Sequence, residues 1–80
     1  MTKILIVEDE KKVASFIKRG LEDDGYEATL SYDGVDALKH ATSEEYDLII
    51  LDCMLPKKDG IAVVHELREA GNLLPVLMLT

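Results

Sequence analysis

Eighty residues suit one domain, and a composition that is 48% hydrophobic is enough to pack a core. Nine Lys and Arg against sixteen Asp and Glu leave a formal charge of −7, which argues against direct contact with nucleic acid or an anionic membrane. The single cysteine, Cys53, excludes an internal disulfide and is too few thiols for a zinc site.

In chain order, Ile4-Leu5-Ile6-Val7 is an apolar run closed by Glu8-Asp9-Glu10, and it reads as a strand buried on both faces. The run is too short for a signal peptide or a membrane span, so a soluble, cytoplasmic chain is expected. The period then changes. Val13, Phe16, Ile17, Gly20 and Leu21 share one helical face, with Lys12, Lys18, Arg19 and Glu22 on the other and Gly25 suited to the C-terminal cap. Tyr26, Ala28 and Leu30 alternate with polar residues, as on an edge strand. Asp33-Gly34 reads as a turn before a short helix through Val35, Ala37, Leu38 and Ala41.

Leu48 to Leu51 is another apolar run, and it ends abruptly at Asp52, ahead of Pro56 and Gly60. Ile61, Val63, Val64 and Leu67 then line a third helix that stops near Gly71-Asn72. Val76 to Leu79 form a fourth strand, again apolar, ending at Thr80. Strands alternating with helices imply right-handed crossovers and a parallel sheet covered on both faces.

In such a sheet all strands end on one rim, where ligands bind. Glu8 and Asp9 close the first strand, Asp52 the third and Thr80 the fourth. Carboxylates crowded together need a compensating charge or a shared proton. Oxygen donors without a His or Cys set point to a hard cation such as Mg2+. A cation of this kind neutralises charge in phosphoryl transfer, and a central carboxylate can itself be the acceptor. Asp52, closing the most central strand, is the expected acceptor, with Asp9 and Glu8 (directly or through water) on the metal and Thr80 donating to a phosphoryl oxygen. The acids also read more plainly as charges favoured at a helix N-terminus, and the two roles are compatible.

The strand followed by Glu8-Asp9, the acceptor position Asp52 followed by Met54-Leu55-Pro56 and Asp59-Gly60, and the strand-terminal Thr80 together resemble the receiver domain of two-component response regulators. The likeness covers all 80 residues, and its wording is most similar to receivers joined to winged-helix DNA-binding domains. It implies a flavodoxin-like doubly wound α/β fold of strand order 2-1-3-4-5. It also implies Mg2+ held by Asp9, Asp52 and the backbone carbonyl of Cys53, and a phosphoryl group taken from a partner histidine kinase, so a phosphoacceptor rather than a classical enzyme. Set against that family, residues 1–80 correspond to the first two-thirds of the domain. The fourth helix, the fifth strand with its preceding lysine, and the fifth helix have no counterpart, and the fourth strand is expected to expose an edge open to strand pairing or domain swapping with a second copy.

Other readings fit the residues less well. A nucleotide- or flavin-binding sheet wants a glycine- or hydroxyl-rich phosphate loop after the first strand, where this chain carries three acids. An aspartyl-phosphate hydrolase usually places a second acid where Met54 stands. A metal-independent interaction module remains the alternative function. Pro56 and Gly60 are expected to shape the loop after Asp52, Gly60 by occupying a backbone position closed to other residues. Cys53 reads as a buried free thiol, His40 and His65 as surface residues, and Lys57 and Lys58 as a solvated loop.

Overall fold

Successive residues of a strand face opposite sides of its sheet, so an unbroken apolar run divides its side chains between two cores. In the computed structural model, which describes residues 1–79, the chain builds β1 (Lys3–Val7), α1 (Lys11–Asp23), β2 (Glu27–Ser31), α2 (Gly34–Ser43), β3 (Leu48–Asp52), α3 (Gly60–Glu69) and β4 (Val76–Leu79). All strand pairs are parallel, in the order β2-β1-β3-β4. Leu5, Val7, Ile49 and Leu51 pack with Ala37, Ala41, Val63 and Leu67 of α2 and α3. Ile4, Ile6 and Ile50 pack on the other side, with Ala28 of β2 and Ile17 and Leu21 of α1. The interior strands are β1 and β3, as the acid-terminated runs imply, and β2 is an edge. Among the described residues β4 pairs only with β3, and its Leu77, on the α1 side of the sheet, stays 52% exposed.

The face of α1 is rotated from the expected one. Ala14 is fully buried and Ile17 and Leu21 pack on the sheet, whereas Val13 is exposed and Phe16 is 79% exposed. Gly25 does follow the C-cap at φ 92, where its N–H bonds to the Glu22 carbonyl at 3.0 Å.

Two of the helices start on aspartates. Asp33 Oδ1 accepts the Asp36 N–H at 2.8 Å and Asp59 Oδ1 accepts the Ala62 N–H at 2.9 Å, satisfying a free donor in each first turn. Asp33-Gly34 is therefore an N-cap and first helical residue rather than a free turn. Gly34 is buried, and its missing Cβ is replaced by backbone: a Cβ there would overlap the Lys58 carbonyl.

That contact belongs to the loop between β3 and α3. Its base is closed by the Gly60 N–H donating to the Cys53 carbonyl at 3.0 Å. Its middle turns sharply where the Lys58 N–H reaches the Pro56 carbonyl at 2.7 Å across Lys57, the one non-glycine residue with positive φ (67°) among the described residues. This is a γ-turn in its rarer, strained form. Gly60 is needed for space rather than for a left-handed backbone, since a Cβ on it would lie 2.6 Å from the Asp52 carbonyl oxygen.

Candidate functional site

Register brings the acids together. Val7 is paired with Leu51, so Glu8, one residue further along β1, arrives level with Asp52 at the end of β3. The ladder is tied beyond both strand ends: the Glu8 N–H donates to the Ser31 carbonyl and the Cys53 N–H to the Leu79 carbonyl, each at 3.0 Å. Fixed backbones on neighbouring central strands therefore hold the carboxylates at one rim. One oxygen each of Glu8, Asp9 and Asp52 lies within 4.8 Å of the others. Glu8 and Asp52 are half-buried and Asp9 is exposed.

The trio is only partly neutralised. Glu8 Oε2 accepts the Glu10 N–H at 3.0 Å and Asp52 Oδ1 accepts the Met54 N–H at 3.1 Å. None of the ion pairs among the described residues involves the three acids. Two unit charges about 4 Å apart at an effective dielectric of about 20 repel by roughly 4 kcal/mol, less where water reaches them. Burial raises the Glu8 carboxyl above its ordinary range; the Glu10 N–H opposes that, and the neighbouring Asp9 and Asp52 carboxylates add to it. Glu10 stands at the N-cap of α1 without a side-chain capping bond, so it is Glu8 that serves both the helix end and the acidic cluster.

A carboxyl raised in the folded chain favours folding while it stays protonated, below its ordinary range, and that contribution is lost as the pH rises through the raised value. Without divalent cations, Glu8→Gln should therefore melt higher than the parent chain at neutral pH. The difference should vanish once the pH falls below the ordinary carboxylate range. Thermal melts across that range read this directly; a Gln variant that is less stable at neutral pH contradicts it.

Asp9, Asp52 and Glu8 are brought together. The carbonyl of Cys53 accepts the Gly60 N–H, which directs it to the start of α3. The thiol of Cys53 is free and half-buried rather than buried, because Cys53 lies just past the end of β3. Thr80 lies outside the described residues. The Pro56 carbonyl accepts the Lys58 N–H in the γ-turn, and Gly60 makes the close approach to Asp52. His65 is exposed, but His40 is half-buried, its ring nitrogens 3.4 Å from Asp36 and Glu44. Neither histidine joins the acidic trio. Lys57 is not merely solvated: it pairs with Asp33 at 3.5 Å, and Lys58 pairs with Glu66. Sequence reasoning missed Gly34, whose neighbour in space is remote in the chain.

With this geometry in hand, the chain matches the family model of the response regulator receiver domain over residues 4–80. The chain belongs to the response regulator receiver family. It is 50% identical over 80 residues to the transcriptional regulatory protein PcoR of Escherichia coli, an alignment covering 100% of this chain and 35% of PcoR. Receiver domains of known structure superpose closely. That of the Francisella response regulator 1452 gives a TM-score of 0.95 at 37% identity, covering 98% of this chain and 64% of that one. The receiver domain of the Pseudomonas aeruginosa sensor histidine kinase PA1611, solved with a magnesium ion coordinated in its active-site cleft, gives 0.92 at 38% identity, covering 99% and 66%. This receiver chain thus spans about a third of the length of the curated relatives it matches. The four parallel strands and three helices among the described residues reproduce the flavodoxin-like arrangement expected of the family, in the order 2-1-3-4. No helix among the described residues is long and apolar enough to cross a membrane.

Proposed function

We propose that Asp52 is the phosphoacceptor of this receiver and that Glu8, Asp9 and Asp52 hold the Mg2+ that the reaction needs. The observation that carries this is the convergence of the three carboxylates within 4.8 Å on the ends of β1 and β3. All three offer hard oxygen donors, and their mutual repulsion is relieved by a divalent cation, so the residues fit the metal. Asp9, exposed, supplies the most open oxygen; Glu8 joins directly or through water. The Cys53 carbonyl already carries the Gly60 N–H, so it has one lone pair left for a cation, and the next carbonyl along the loop, that of Met54, is the alternative main-chain donor.

The bound cation supplies charge neutralisation for the transferring phosphoryl group. The protein does the rest. The Met54 N–H fixes one Asp52 oxygen, and the other is free to attack phosphorus. The bond from phosphorus to the donor's histidine nitrogen breaks as the new P–O bond forms, and its electron pair returns to the imidazole. Thr80, one residue beyond β4, is proposed to donate to a phosphoryl oxygen. The donor is a histidine kinase, the setting cytoplasmic, and the acidic surface carries no role in direct nucleic-acid contact. Incubation with acetyl phosphate and Mg2+, read by intact mass, should add one phosphoryl group, and a chelator should abolish the gain. A folded chain with no gain, or with a gain that survives chelation, overturns the reading.

A further inference from the structure

Gly34 opens α2, on a different element from every acid of the site, yet it touches the loop that follows Asp52. Where its Cβ would stand, the carbonyl of Lys58 already sits, with the Lys58 Cβ 2.8 Å from that point. The Gly34 N–H points to the Pro56 carbonyl at 3.4 Å, and neighbouring Asp33 pairs with Lys57 at 3.5 Å. All three contacts fall on the γ-turn, the part of the loop whose backbone is least favourable by itself. A turn of that kind persists only when its surroundings hold it. The same short loop carries, at its other end, the Met54 N–H that fixes Asp52 Oδ1 and the Cys53 carbonyl held by Gly60.

We propose that Gly34 is a positioning residue: its bare α-carbon is the seat on which the strained γ-turn rests, and that seat sets where the Met54 N–H meets the Asp52 carboxylate. A side chain at residue 34 lifts the Pro56–Lys58 turn off α2. Because the loop is short and anchored at Gly60, the displacement passes to Met54 and misaligns the acceptor. This rests on the reading of Asp52 as acceptor, but the loop geometry is measurable without it.

The test compares Gly34→Ala with Gly20→Ala, a helical glycine with nothing within 4 Å of an added Cβ. Amide NMR and the Mg2+-dependent labelling rate, split into its limiting value and its half-saturating acetyl phosphate concentration, are read on each. In Gly34→Ala the Met54 and Gly60 amide signals should move, and the limiting rate should fall by about ten- to a hundredfold, as expected for a displacement of the order of an ångström. Gly20→Ala should change neither. Should Gly34→Ala fail to fold, the double variant Gly34→Ala/Lys57→Gly lets the turn back away at a residue that tolerates positive φ. It should fold with the Met54 amide displaced and the limiting rate lowered. Either variant, folded with Met54 and Gly60 signals and limiting rate like those of the parent, overturns the proposal. If the parent chain itself takes no phosphoryl group, the acceptor reading fails, and the amide shifts alone decide the role of Gly34.

Discussion

Asp52→Asn should take up no phosphoryl group from acetyl phosphate and Mg2+ at any donor concentration, while folding as well as the parent chain. The substitution is nearly isosteric, and its side-chain oxygen still accepts the Met54 N–H that Asp52 Oδ1 accepts at 3.1 Å. The nucleophilic carboxylate is lost, and with it one of three like charges at the rim. Stability without cations should therefore hold or rise. Asp9→Asn separates the roles: it keeps the acceptor and should need more Mg2+ for the same rate. Intact mass with peptide mapping measures both, and equal labelling of the Asp52→Asn chain would remove the assignment.

The second large effect is on the fold. Leu51 is fully buried between β1 and β4 and immediately precedes Asp52. Leu51→Ala should cost about 2–5 kcal/mol through lost transfer energy and the cavity left behind. Total stability for a chain of this length is of the order of 4–12 kcal/mol, so the variant gives up a large share of it. Denaturant unfolding should show a much lower midpoint with a similar slope. Mg2+ should recover part of the loss, because a cation that binds only the folded rim stabilises it by mass action. A midpoint near that of the parent would mean that β3 is not the packed centre described.

What could be read from the sequence was what depends on neighbours in the chain. The apolar runs at Ile4–Val7, Leu48–Leu51 and Val76–Leu79 are strands because no other local structure suits so short a run, and their alternation divides into the two observed cores. The acids closing the first two then had to share a rim, since parallel strands end together. What could not be read depends on contacts between remote segments. Periodicity finds an apolar face on α1 but not its exact angle to the sheet, and packing chose Ala14 over Phe16. Nothing about lysine announces the positive φ of Lys57, in a loop packed against Gly34 and closed by Gly60. Likewise, the sequence does not show that the Cys53 carbonyl also accepts the Gly60 N–H, a donor that comes within reach only once α3 folds back on the strand end.

If Glu8, Asp9 and Asp52 form one cation site, two amides report on it directly. The Glu10 N–H is bonded to Glu8 and the Met54 N–H to Asp52, so a cation drawing on those carboxylates must disturb both. In a Mg2+ titration followed by amide NMR, Glu10 and Met54 should shift together along one saturable curve, and Asp52→Asn should weaken it. Shifts confined to other acidic groups, such as Asp36 and Glu44, or no saturable shift at Glu10 and Met54, would contradict the site and leave a metal-independent interaction module in its place.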